Sequence, residues 1–120
     1  LRPLQLVLQP QSKGPMLRQW LHDNGFTVVR EQLVRDRRFI YPVLEARYAV
    51  QDRPLDPEEF YISRALSHSG DPLLREYLGY LIRGLEDTVF GMEQGRDCDP
   101  ALLRRRREAL RNLKRMEAAL

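Results

Sequence analysis

Residues 4–10, Leu-Gln-Leu-Val-Leu-Gln-Pro, are mostly apolar until a proline ends them. A strand of that kind asks for burial on both faces, as in a parallel sheet covered by helices. Residues 11–14 form a loop. Pro15 then stands where the first turn of a helix tolerates proline, with Ser12 or Gly14 near the cap. Met16, Leu17, Trp20 and Leu21 follow at helical spacing, and Asn24-Gly25 stops the helix. A strand, a short loop and a helix are half of a βαβ unit. The next strand is expected over residues 26–34, a turn at Asp36-Arg37-Arg38, and a returning strand over residues 39–48. Pro42 cannot donate to a ladder, so it marks an edge position or a bulge.

Residues 51–57 read as a linker, and the remainder is helical. Asp56-Pro57-Glu58-Glu59, Asp71-Pro72 and Asp99-Pro100 each combine an acidic cap with a proline at the first helical position. Those aspartates are caps rather than catalysts. Leu74, Leu78, Leu81, Leu85 and Met92 make a heptad-like seam, with Val89 one place off register. Leu103, Leu110, Leu113 and Leu120 give the last helix one apolar face. Two such helices, over about 72–94 and 100–119, should pack as an antiparallel hairpin. The chain therefore divides into an α/β part, residues 1–50, and an all-helical part, residues 56–120.

Composition excludes several classes. One cysteine, Cys98, cannot build a disulfide framework. No apolar run approaches the roughly 20 residues of a membrane helix, and no secretory signal opens the chain. A cytoplasmic setting is expected. His22 and His68 are far apart with no cysteine cluster beside them, so no metal site is expected, and His22 is placed on the outer face of its helix. The chain opens Leu1-Arg2-Pro3-Leu4 without an initiator methionine and runs almost at once into a buried-type strand. That reads as the C-terminal piece of something longer.

The net charge of +3 is unevenly spread. Residues 101–120 hold seven basic and two acidic residues, a local +5, whereas residues 1–100 carry 13 against 15, or −2. Such an excess either solvates a helix face or attracts a polyanion in a salt-dependent way. On a helix, Arg104, Arg107, Arg111 and Arg115 share a stripe at 3–4 spacing, with Lys114 beside it. That stripe is the candidate phosphate-contacting face, and Arg106 has to snorkel beside the seam.

A second candidate site is Gln9-Pro10-Gln11-Ser12, at the C-terminal end of the first strand, where ligands of open α/β sheets sit. It is either an ordinary βα turn or a place where amides read a base edge. Tyr41 either joins the core or looks into a substrate cleft. Trp20, between Leu17 and Leu21, is expected in the core.

These residues resemble a family. Leu6-Val7-Leu8-Gln9-Pro10, Leu17-Arg18-Gln19-Trp20-Leu21 and Asn24-Gly25-Phe26 are similar, in order, to the "LQP…LR.WL..NG" stretch of bacterial tRNA (adenine-22-N1)-methyltransferases. Glu31-Gln32-Leu33-Val34-Arg35-Asp36 with Phe39-Ile40-Tyr41 resembles "E.LV.E.G..YE", and Pro72-Leu73-Leu74 with Tyr77-Leu78 resembles "P.L..YL". Gln11 and Pro42 depart from the pattern, which usually has Asn and often has Glu there.

The resemblance implies the C-terminal half of a Rossmann-like, S-adenosylmethionine-dependent methyltransferase sheet, with strands five, six and seven here, followed by a coiled-coil tail. It implies tRNA as partner, and an adenine whose N1 attacks the sulfonium methyl after the base is extruded. Gln9, Pro10, Gln11 and Tyr41 would then border the base pocket, and Arg104, Arg107, Arg111, Lys114 and Arg115 would touch backbone. The donor half would be absent, so the piece would be inactive alone. It would also self-associate through its open sheet edge. Two other readings remain: a helical-hairpin adaptor that binds a protein through exposed leucines, and a stand-alone RNA-binding module.

Overall fold

The computed structural model describes residues 5–8, 14–95 and 98–120. In chain order they form β1 (Gln5–Leu8), α1 (Gly14–Asp23), β2 (Phe26–Asp36), β3 (Phe39–Tyr48), a 3-10 turn (Pro57–Phe60), α2 (Arg64–Ser67), α3 (Leu74–Gln94) and α4 (Pro100–Ala118). The sheet order is β1-β3-β2, and both pairings are antiparallel. β1 and β2 therefore run parallel to each other, with β3 returning between them. Their carboxyl ends lie along one edge of the sheet. The strand–helix–hairpin reading holds, but double-faced burial of the first strand does not. Val7 is 69% exposed, because no described element covers that face.

Pro42 does not bulge the hairpin. The register runs straight through it, with Leu33 opposite Pro42, and the irregularity falls between Val28 and Arg30. On the other side, β1 pairs only with residues 44–47, so no described ladder bond on that flank is lost to the proline. The irregularity at Val29 switches the inward parity of β2. Phe26 faces inward before it, and Glu31 and Leu33 do so after it.

α1 ends as its sequence dictates. Gly25 takes φ +84°, and a Cβ there would come within 3.0 Å of the Tyr48 ring. Positive φ and this close approach both call for glycine. Leu21 packs with Phe26 and Ala46, and Leu17, Leu6, Leu8 and Val28 surround them. Trp20 does not join this core. It is 52% exposed, and its ring stacks on the rim over Phe26, 6.2 Å between centroids. Each helical residue advances about 100°. Positions 17, 18 and 21 therefore share the inward arc, and position 20 falls outside it.

The inward arc carries an ion pair. The Arg18 guanidinium donates from both terminal nitrogens to the two Glu31 carboxylate oxygens, 2.8 Å each, and both side chains are buried. The Ser63 N–H also donates to Glu31 Oε1 at 3.0 Å. Ser63 caps α2 through its hydroxyl, which accepts from the Leu66 N–H. Three elements (α1, β2 and the start of α2) thus meet on one carboxylate.

The larger core joins sheet to helices. Leu33 and Ile40 are buried with Ile62, Leu66, Leu74, Leu78 and Leu113 among others. The buried stripe of α3 runs Leu74, Leu78, Ile82, Leu85, Val89, with Tyr77 beside it. Val89 is therefore in the seam, and Leu81 is only half-buried. A straight helix drifts away from a strict heptad, which explains the shift. α4 returns antiparallel and buries Ala109 and Leu113, while Leu120 is left exposed, off the expected face.

Asp99 caps α4, accepting from the Ala101 N–H at 2.9 Å. Asp71 stands three residues before α3. Its Oδ1 accepts from the Leu73 N–H and its Oδ2 from the Leu33 N–H, so the turn that starts α3 is pinned to β2. Asp56 opens a single 3-10 turn rather than a longer helix.

Removing one member of the buried pair leaves the other uncompensated. Glu31→Gln is expected to destabilise the fold by about 3–5 kcal/mol, measured by urea unfolding. Replacing Arg18 and Glu31 together by Met and Leu should recover most of that loss.

Candidate nucleic-acid interface

The shared carboxyl edge of β1 and β2 is where an open α/β sheet receives its ligands. A cavity of about 280 Å³ opens beside that edge. Gly14 and Pro15, at the start of α1, form part of its wall, together with Arg18. The rest is largely aromatic. Phe39 and Tyr41 come from β3, Phe60 from the end of the 3-10 turn, Tyr61 from the residue that follows it, and Tyr77 from α3. Five of the chain's ten aromatic residues thus wall one space. Flat, polarisable walls of this kind accept the face of a nucleobase.

Tyr41 is half-buried in this wall, with its ring 6.1 Å from that of Phe39. Tyr41 is thus a lining residue of the cavity and not one of the buried core. Gln9, Pro10 and Gln11 lie outside the described residues.

Burial pushes the Tyr77 phenol up to about 12, and the nearby Arg18 charge pulls it back only in part. Burial likewise raises the Tyr61 phenol, against the downward pull of Arg106. Both rings are neutral near neutral pH. The Arg106 guanidinium lies 5.9 Å from the Tyr61 ring centre, a cation–π distance. The contact is with the residue after the 3-10 turn and not with the α3 seam, and it brings the basic helix to the cavity wall.

The five cations singled out on α4 are all exposed, and they divide into two sets. Arg107 pairs with Glu93 at 2.8 Å, and Lys114 with Glu86 at 3.2 Å. Both pairs clip α4 to α3. Arg104, Arg111 and Arg115 make no ion pair among the described residues.

A second groove, of about 440 Å³, runs between α1 and α4. Met16 and Trp20 line one side, and Leu102, Arg105 and Arg106 the other.

His22 is half-buried rather than on an outer face. Gln51, Arg53 and Leu55 of the linker fold back over α1 and enclose it in a cavity of about 60 Å³. Glu59 lies there too. It accepts from Arg53 at 2.9 Å on each oxygen, from the Asp56 N–H at 2.8 Å, and pairs with Arg64 Nε at 2.9 Å. Burial pushes the Glu59 carboxyl up. The bonds from Arg53 and the Asp56 N–H, with the charges of Arg53 and Arg64, outweigh it and hold the group below the ordinary carboxylate range. No group of three or more His, Cys, Asp or Glu among the described residues could hold a metal. No helix among them is long and apolar enough to cross a membrane.

Sequence reasoning missed Arg18, Glu31 and most of the aromatic wall. Arg18 left a signal, since a charged residue on the arc of Leu17 and Leu21 needs a buried partner. Glu31 left little, because alternation counted from Phe26 turns it outward unless the irregularity at Val29 is known.

The family model for tRNA (adenine(22)-N(1))-methyltransferase matches residues 1–113. The fold is similar to the crystal structure of the Bacillus subtilis m1A22 tRNA methyltransferase TrmK, with TM-score 0.69 and 17% identity, covering 94% of this chain and 51% of that one. Streptococcus pneumoniae Sp1610 gives TM-score 0.66 and 21% identity, covering 94% and 49%. It has also been crystallised in complex with S-adenosyl-L-methionine. The Mycoplasma genitalium protein MG248 is 53% identical over 38 residues, 32% of this chain and 17% of its own length. The likeness to the solved structures is one of fold, and the chain spans about half the length of each.

Glu59 gives a pH signature. In the unfolded chain it titrates in the ordinary carboxylate range, about pH 4.3, and in the fold it titrates lower. Its stabilising contribution is therefore complete above the ordinary value and is lost as pH falls through the folded value. Glu59→Gln should lower the urea midpoint at pH near 7, and the gap to the unsubstituted protein should narrow below about pH 4.

Proposed function

The chain belongs to the tRNA (adenine(22)-N(1))-methyltransferase (TrmK) family, and from that premise we propose that it supplies the substrate side of a tRNA-modifying enzyme. The whole protein would move a methyl group from S-adenosylmethionine to N1 of an adenine in tRNA, in a cytoplasmic setting. The observation that carries this reading is the aromatic cavity beside the carboxyl edge of β1 and β2, joined to the basic helix through Tyr61 and Arg106. The cavity receives the base. Arg104, Arg111 and Arg115, with no acidic partner among the described residues, hold tRNA phosphates. Tyr41 borders the base, and Gln9, Pro10 and Gln11 follow the same strand edge. Residues 1–50 belong to the catalytic domain, and residues 56–120 form the tRNA-holding tail.

The residues of this chain do not fit a methyl-donor site. No G-x-G-x-x-G turn occurs in the sequence, and that turn is what lets backbone approach a nucleotide cofactor after a first strand. Donor binding would belong to the part of the relatives' length that this chain does not span.

The pure chain should bind an unmodified tRNA transcript yet show no methyl transfer from S-adenosylmethionine. Replacing Arg104, Arg111 and Arg115 by Gln should flatten the slope of log K against log salt by about two units. Measured turnover, or binding indifferent to salt, would count against the proposal. Salt-independent capture of a protein through α3 would favour an adaptor instead.

Among the described residues nothing pairs with the outer edge of β1. An open edge beside exposed Val7 is a template for another chain. The chain should therefore show concentration-dependent association in sedimentation velocity, and a single monomer boundary at all concentrations would contradict this.

A further inference from the structure

The lopsided charge directs attention to α4, yet a second group of cations assembles where the sequence shows no net excess. Arg37 and Arg38 are the two turn residues of the β2–β3 hairpin, between the paired residues Asp36 and Phe39. Arg83 comes to the same place from α3. Its guanidinium lies 5.2 Å from the centre of the Tyr80 ring, and the Tyr80 hydroxyl donates to the Arg38 carbonyl at 3.1 Å. The turn is thus buttressed on α3. None of these three arginines makes an ion pair among the described residues. Four carboxylates stand near it. Glu76 is held by Arg35 and Glu86 by Lys114, while Asp36 ends β2 and Asp87 lies one turn from Arg83 on α3. Three arginines against Asp36 and Asp87 leave a net positive charge. Beside it Phe39 is 60% exposed, and Tyr80 is exposed as well.

The backbone supplies a second, independent indication. Arg37 has φ +58° and is the one non-glycine residue among those described with positive φ. Glycine or asparagine enters that region far more readily than arginine does, and hairpin turns of two residues normally use them. Arginine there gives up the conformational ease that glycine would have. Residues held in such a conformation concentrate at functional sites.

We propose that the tip of the β2–β3 hairpin is a second RNA contact. Arg37, Arg38 and Arg83 grip the phosphodiester backbone, and Phe39 stacks on an unpaired base beside the cavity. This rests on the tRNA reading above. Guanidinium forks match phosphate oxygens, and a cation cluster interleaved with exposed rings is the arrangement that holds single-stranded nucleic acid. The position serves the reaction. Phe39 is a wall residue of the aromatic cavity, so a backbone held at the turn presents its base at the cavity mouth. With Arg106 on the Tyr61 wall, the strand is held at two places around the base to be extruded.

Arg37→Gly separates fold from binding. Glycine relieves the left-handed backbone, so the urea midpoint should be unchanged or higher, while the dissociation constant for an unmodified tRNA transcript should rise about threefold or more at about 50 mM salt. Arg37→Asn should behave in the same way. Arg38→Gln with Arg83→Gln should lower the salt slope by about 1.4 units. Phe39→Ala should weaken tRNA binding but leave an RNA duplex of roughly 16 base pairs bound as before. Wild-type affinity and slope in the hairpin variants, alongside weakened binding in the α4 variants, would overturn the proposal and leave the tRNA reading intact. No salt-dependent tRNA binding by the unsubstituted protein would overturn both.

Discussion

The paired charges of Arg18 and Glu31 are the constraint on which the rest is arranged. Two buried ions without partners would each carry a desolvation penalty of several kcal/mol. Here the guanidinium fork and the carboxylate meet bidentately, and the Ser63 N–H uses further acceptor capacity on the carboxylate. The geometry admits little slack. α1 must present position 18 inward, β2 must turn Glu31 inward, and α2 must begin at Ser63. Each of those conditions propagates. Turning position 18 inward carries Trp20 to the rim. Turning Glu31 inward requires the parity switch at Val29. Starting α2 at Ser63 sets the preceding 3-10 turn, and Tyr61 after it, against α1 and α4.

The candidate site is a by-product of that arrangement. Arg18 is both a member of the pair and part of the cavity wall, so the charge that locks α1 to β2 also lines the cavity. Tyr77 sits close enough to feel both charges, and its burial keeps it protonated. The walls arrive from three separated stretches, residues 39–41, 60–61 and 77, and only the shared core of sheet and helices brings them together.

Much of the architecture was legible because local chemistry and tertiary packing agree. Gly25 ends α1, the Asp-Pro pairs precede helical segments, and residues 74–94 and 100–118 make the expected hairpin. The misses share one cause. The readings of Trp20 and Val89 rest on a period anchored at a neighbour, and the same alternation gives no inward place to Glu31. The true phase is set by the arc that Arg18 occupies, by helical drift and by a strand irregularity. The cavity was half legible. Tyr41 could be named because it stands beside a strand start in the family pattern. Tyr61 and Tyr77 sit in segments whose sequence speaks only of helix, and nothing local says that their rings converge.

The charge distribution shows the same limit in another form. A residue count places the basic excess entirely after residue 100, yet charge acts at a distance set by screening, about 10 Å in moderate salt, and not by position in the chain. Folding spends some of those cations internally, as Arg107 on Glu93 and Lys114 on Glu86. It also gathers others from the nominally acidic part, where several of the negatives are held by structure. Glu31, Glu59 and Glu76 are all held by arginines, and Asp71 and Asp99 by backbone N–H groups. The potential that a polyanion meets is what remains after those internal neutralisations. On α4 the cations without an ion pair among the described residues are Arg104, Arg105, Arg106, Arg111 and Arg115, and at the hairpin tip they are Arg37, Arg38 and Arg83. The aromatic cavity has a wall residue next to each group, Tyr61 under Arg106 of α4 and Phe39 beside Arg38. That is the placement needed to hold a strand on either side of a base while the base leaves its stack.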